Sequence, residues 1–289
     1  MIADGTEVMR SRRARIDPVA SSRRAGPPAE RLVALLLVAV MALSGCKVLV
    51  RPPAPVLPSQ VTPFSVAAPG GAWPGGWHIE AVRKFRKPSS YRLVDDEGTT
   101  VVEGTAEASA SGLVEFLDLD VYQRPILAWR WKITQPVTGA DTTQRSGDDA
   151  PARILLSFSG DVRSLPFAER LFFDQVRLVS GVPVPYATLE YVWGAGAPNE
   201  TVVINSYTSR IRTIIVESGP ERLGEWVSEV RDVLEDFRRA FEEEPGRITG
   251  IAVYTDADVT FARSQGYYGD IEFLTRSEAE RRFAGGSAR

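Results

Sequence analysis

Residues 127–158 constrain this chain more than any other stretch. They read L-A-W-R-W-K-I-T at 127–134, a polar segment at 135–150, and P-A-R-I-L-L-S-F at 151–158. Leu127, Trp129, Trp131 and Ile133 share one parity, and Ala128, Arg130, Lys132 and Thr134 share the other. Successive side chains of an extended backbone point to opposite sides, so this period of two specifies a strand with one covered face. Ile154, Leu156 and Phe158 repeat it. The two tryptophans read as core, because aromatic rings supply large buried area and their neighbours on that face are aliphatic. The polar segment between the strands carries Arg145, Asp148 and Asp149.

Similar signals recur along the chain. Residues 91–94, 99–103 and 105–109 read as short strands, with Asp95-Asp96-Glu97-Gly98 as a hairpin turn. Ala106, Ala108 and Ala110 give the third a small-residue face. In 113–121, Leu113, Leu117, Leu119 and Val121 point one way and Asp118 and Asp120 the other. Further strands are expected at 188–193, 201–207, 210–217, 248–255 and 268–274. Residues 165–180 fit either a short helix capped by Gly181 or an irregular loop. Residues 225–244 predict an amphipathic helix: Trp226, Val230, Val233, Leu234, Phe237 and Phe241 form one stripe, and Pro245-Gly246 ends it. Many short strands, one helix and no βαβ alternation predict a mostly-β, jelly-roll-like two-sheet β-sandwich with that helix packed on it.

The N-terminal part sets an address. Leu32 to Leu43 is an unbroken apolar run of 12 residues preceded by Arg31, too short for the ~20 residues a bilayer needs, and it reads as a signal peptide. Leu43-Ser44-Gly45-Cys46 resembles the lipobox of bacterial lipoproteins and contains the one cysteine of the chain. The resemblance implies lipidation of Cys46. Lys47 after it, where sorting rules would retain Asp, implies the periplasmic side of the outer membrane. The expected division is 1–45 signal peptide and extension, 46–69 Pro-rich tether, 70–275 β-sandwich domain and 276–289 polar tail. Removing residues 1–45 leaves 244 of 289, with 27 basic and 33 acidic residues, net −6. That balance argues against nucleic acid as a partner.

The chemistry narrows next. His78 is the one histidine, so triads built on a serine or cysteine lack parts, and no phosphate-binding glycine loop or zinc spacing occurs. No catalytic residue is assigned. Two acidic clusters remain: Asp148-Asp149 with Arg153 downstream, and Asp256-Ala257-Asp258 after an apolar strand. Paired carboxylates serve glycoside hydrolysis when they face each other across a cleft. Asp256 and Asp258 suit Ca²⁺, which takes hard oxygens. An acid paired to Arg145 or Arg153 pins a loop instead. The candidate ligand-binding set is Asp148, Asp149, Arg153, Asp256, Asp258, Arg130 and Tyr207. No cofactor is expected beyond that possible Ca²⁺.

W-R-W-K at 129–132, G-D-D-A-P-A-R at 147–153, L-E-Y-V-W at 189–193, D-V-L-E-D-F at 232–237, T-D-A-D at 255–258 and Y-Y-G-D-I at 267–271 together resemble a bacterial secreted family, domain-of-unknown-function family 3047. The resemblance carries no activity. It implies that Trp129, Trp131, Asp148, Asp149, Arg153, Asp256 and Asp258 are pattern positions. Three functions stay open: a membrane-anchored, non-catalytic module binding a glycan or other envelope component, a glycan hydrolase using paired Asp carboxylates, and a structural envelope protein docking another protein.

Overall fold

The computed structural model describes residues 56–80, 87–180 and 184–284. The expected signal segment, Cys46 and the first part of the expected tether lie outside them. The elements are β1 His78–Glu80, β2 Ser90–Asp96, β3 Thr99–Glu107, β4 Ala110–Leu119, β5 Ile126–Gln135, β6 Ala152–Phe158, α1 Phe167–Ser180, β7 Ala187–Gly194, β8 Val202–Ile204, β9 Ile211–Ser218, β10 Val227–Asp232, α2 Val233–Phe241, β11 Ile248–Asp256, β12 Arg263–Leu274 and α3 Arg276–Phe283.

They form a two-sheet β-sandwich. One sheet runs β1-β4-β11-β6-β7-β9-β8 and the other β10-β5-β12-β3-β2. Neighbours are antiparallel, except that β7 and β9 run parallel. The alternation at 127–134 does what its period demands. Trp129 and Trp131 enter the core from the second sheet and meet Tyr191 and Trp193 of the first, with ring centroids 5.3 and 6.0 Å apart. Residues of both sheets share one buried cluster.

The expected hairpin after β2 is a two-residue loop. Asp96 pairs with Thr99, and Glu97 and Gly98 both take positive φ, 56° and 78°. Two left-handed residues match the twist of the flanking strands. The expected strands at 99–103 and 105–109 are one strand, β3, and Ala108 turns the chain with φ of 45°. Of the strand expected at 201–207, only Val202–Ile204 pairs.

Two helical expectations need correction, and one open segment resolves as a helix. Residues 225–244 are a strand and then a helix: 227–232 pair with β5 from Val227↔Trp131 to Asp232↔Ile126. The apolar stripe is genuine only from Val233 onward. Val230, assigned to it by spacing, faces out, while Val227 is buried. Asp232 starts α2 by accepting a hydrogen bond from Glu235 N, and an open strand edge outcompetes helix propensity before it. The ambiguous segment 165–180 is the helix α1, and the expected cap at Gly181 lies outside the described residues. The expected polar tail contains α3, nucleated by a capping box between Thr275 and Glu278.

The packed domain also begins ahead of Gly70. Phe64 is fully buried and lies 4.7 Å from the Trp77 ring, and Val61 joins the same core. Buried Glu115 on β4 accepts from Thr62 N at 2.8 Å and Thr62 Oγ1 at 2.6 Å. Proline richness suggested a free tether, but an aromatic residue and a buried carboxylate hold its second half down.

Candidate functional site

The site forms on the outer face of the seven-stranded sheet, by parity. On β6, Ile154 and Leu156 turn into the core, so Arg153 turns out. On β7, Leu189 and Tyr191 turn in, so Glu190 turns out. Thr213 on β9 and Asp256, the last residue of β11, reach the same face. The chain at 142–150 lies over it, and Ala150 packs on Val192 and Ile215.

Arg153 is the centre. Its side chain is 5 % exposed and meets three carboxylates: Asp148 Oδ1 at 2.8 Å, Asp256 Oδ1 at 3.2 Å and Glu190 Oε2 at 3.3 Å. One guanidinium cannot offset the burial of several acids and their mutual repulsion. Burial, aided by the charge of Asp149, pushes Asp256 up to about 7. Burial likewise raises Glu190, with Asp148 adding to the effect. Burial opposes the charge on Arg153, but the three carboxylates outweigh it and hold the guanidinium ionised.

Asp149 serves the backbone. It accepts from Thr260 N at 2.6 Å, Thr260 Oγ1 at 2.7 Å and Val259 N at 3.1 Å. Asp256 accepts from Ala150 N at 3.0 Å. The two acidic clusters named from sequence therefore converge, and they stitch the 142–150 segment to the chain after β11. Asp149, Asp256 and Asp258 offer oxygens within 4.8 Å of one another, a spacing that suits one cation. The first two already spend theirs on N–H, O–H and guanidinium donors. Hydrolysis by these groups asks for two free carboxylates opposed at roughly 5–9.5 Å. Asp148 and Asp256 are held on one arginine, and Asp149 is held by amides.

Beside this cluster is a shallow groove lined by polar groups of 142–148, by Asn205, Ser206 and Thr213, and by the apolar Val203 and Ile204. Thr213 Oγ1 donates to Glu190 Oε2 at 2.8 Å, which ties the groove to the Arg153 cluster. Arg145 Nε donates to Tyr207 Oη at 2.9 Å, with the guanidinium 4.3 Å from the ring centre. Tyr207 remains 49 % exposed.

Of the candidate set, Asp148, Asp149, Arg153, Asp256 and Asp258 come together, and Tyr207 contacts Arg145, which lines the same groove as Asp148. Arg130 does not. It lies on the outer side of the other sheet, 4.5 Å over Trp226. Glu190, Thr213 and Thr142 were not singled out from sequence. Glu190 carried a signal, as a lone acid in the apolar strand T-L-E-Y-V-W. Asp118 and Asp120, on the outward side of the expected strand 113–121, both face Arg247. On β1, His78 Nδ1 lies 2.9 Å from the carbonyl oxygen of Gly76, which precedes the strand.

A family model for a protein of unknown function, DUF3047, matches residues 75–272. The chain belongs to that family. The DUF3047 match takes in Arg153 and all three of its carboxylates, as well as the groove. No curated protein matches the chain.

Proposed function

We propose that this DUF3047 protein is a lipid-anchored module on the periplasmic face of the outer membrane. It binds a glycan or a similarly polar envelope component in the groove between 142–148 and 205–207, without catalysis. What carries the reading is the Arg145–Tyr207 pair at the rim. A half-exposed ring, oriented by a cation, follows Asn205 and Ser206 of a groove whose lining mixes hydroxyl and amide groups with Val203 and Ile204, the kind of surface that stacks on and hydrogen-bonds a sugar. The anchor rests on the lipobox at Cys46.

Co-sedimentation of the full chain with insoluble peptidoglycan tests the ligand. Wild type sediments, and Tyr207→Ala and Arg145→Ala each lose about tenfold in affinity, or ~1.4 kcal/mol, with unchanged circular dichroism. Equal sedimentation of all three, or none by wild type, overturns the glycan reading. Metabolic labelling with palmitate tests the anchor, since Cys46→Ser must lose the label. The groove needs no metal in this reading. Millimolar Ca²⁺ therefore leaves the melting temperature unchanged, and a rise of several degrees assigns Asp149, Asp256 and Asp258 to a cation instead.

A further inference from the structure

We infer that α1 is a second membrane contact: its outer face rests on the lipid surface at the end of the domain where the N-terminal chain enters. The inference uses the lipid-anchor reading for the length of the tether and uses nothing of the glycan reading.

The observation is an apolar stripe with nothing packed on it. Phe167, Leu171 and Leu178 fall at i, i+4 and i+11, which brings them to one side of a helix. They are 72, 45 and 86 % exposed. The opposite side is the one that holds the helix to the domain. There Phe173 is buried, and Glu169 accepts from Ser209 N at 2.8 Å and Thr208 Oγ1 at 2.5 Å. The helix is thus apolar on both sides, and its own domain uses one.

Position supplies the occupant. Pro58 O accepts from Asp118 N at 2.9 Å, so the chain reaches the sandwich at the closing end of β4. Arg247 joins Asp118 there, and its carbonyl accepts from Ser159 N at 2.9 Å, just after β6 ends. Eight residues after Ser159, α1 begins, and it returns the chain to β7 beside Phe158, where Ala187 pairs. Chain arrival and α1 share one end of the sheet. From Cys46 to Pro58 is 12 residues, and an extended chain spans at most ~3.3–3.6 Å per residue, about 40 Å here. An acylated Cys46 therefore keeps this end near the bilayer.

The flanks of the stripe suit a lipid headgroup layer. Arg170 and Arg177, both exposed, line one edge, and among the described residues neither makes an ion pair. Arginines beside leucine and phenylalanine at that depth are the composition of interfacial helices, whose basic residues are drawn to anionic lipid. Exposed Asp174 beside the stripe keeps the helix at headgroup level, with no deeper burial.

The test places a nitroxide on Leu178→Cys in the full lipidated chain, bound to vesicles of phosphatidylethanolamine and phosphatidylglycerol at 3:1. A label on exposed Glu225→Cys is the reference. Collision with dissolved oxygen should rise, and collision with a water-soluble nickel chelate should fall at least threefold, at 178 relative to 225. Equal nickel access at both sites overturns the inference. Dipolar broadening between labels at 178 overturns it in favour of a second copy of the chain. The mass of the Cys46 peptide is read on the same sample. If it carries no acyl group, the anchor reading is lost, while the accessibility ratio still judges α1 by itself.

Discussion

Arg153 is the residue whose loss the domain should tolerate least. Replacing it with methionine leaves Asp256 and Glu190 buried without their cation, and breaking a buried pair by removing one partner costs about 3–5 kcal/mol. Urea unfolding of Arg153→Met should show that loss, partly recovered when Asp256→Asn is added. Glu229 is the residue to test for pH. It sits opposite Trp129 in the β10–β5 pairing, and burial, with Glu217 nearby, raises its pKa to about 7 from an ordinary 4.5. The folded state therefore holds this proton more tightly than the unfolded chain. Its contribution is fully present below pH 4.5, is lost as pH rises through 7, and is flat beyond. Glu229→Gln should flatten the fall in melting temperature between pH 5 and 7.5. An unchanged slope assigns the dependence to Asp256 and Glu190. The Arg153 cluster was half legible in sequence. Asp148, Asp149, Arg153, Asp256 and Asp258 stood out as charge in two short runs. Glu190 and Thr213 are single polar residues on strands read for their apolar parity, and only the neighbouring strands' register reveals what they face.

Elements were legible where one signal dominated. Alternation fixed β5 and β6, because a one-residue slip would turn Trp129 and Trp131 out to water. Where two periods coexist, the sequence misleads. Trp226, Val230 and Val233 have helical spacing, yet 227–232 completes a sheet edge beside β5, and that pairing lies a hundred residues away in sequence. The α3 signal was local and clear, a threonine three residues before a glutamate, but the polar composition around it masked it. Thr275 Oγ1 accepts from Glu278 N at 3.2 Å, and Glu278 Oε2 accepts from Thr275 N at 2.8 Å. Thr275→Ala removes this reciprocal cap and should cost about 1 kcal/mol. Hydrogen exchange should show the loss confined to 276–283, with β12 protection retained. Loss of protection throughout β12 would mean that α3 supports the sheet as well as following it.

At the scale of the molecule, the decisive boundary is where the tether stops and the domain starts. Six prolines between 52 and 69 argue for an extended spacer, and composition is blind to a single aromatic anchor among them. Phe64 is that anchor. It is fully buried against Trp77, and the turn it sits in is tied to the far sheet by Ser65, whose N donates to Asp270 Oδ1 at 2.9 Å on β12. Trp77 in turn donates through Nε1 to Thr62 O at 2.8 Å, closing the segment onto the first strand. Residues 61–66 therefore act as a plug across both sheets, and the packed domain reaches back at least to Pro58, whose carbonyl accepts from Asp118 N. Phe64→Ala should cost the domain about 3–5 kcal/mol, the range for emptying a buried phenylalanine site. It should also release the segment, so that limited proteolysis cuts between 58 and 77 in the variant and spares wild type. Cleavage of wild type in that stretch at the same rate would return residues 58–69 to the tether. The reach of the proposed anchor would then grow by eleven residues, which removes the constraint on which the inferred lipid contact of α1 rests.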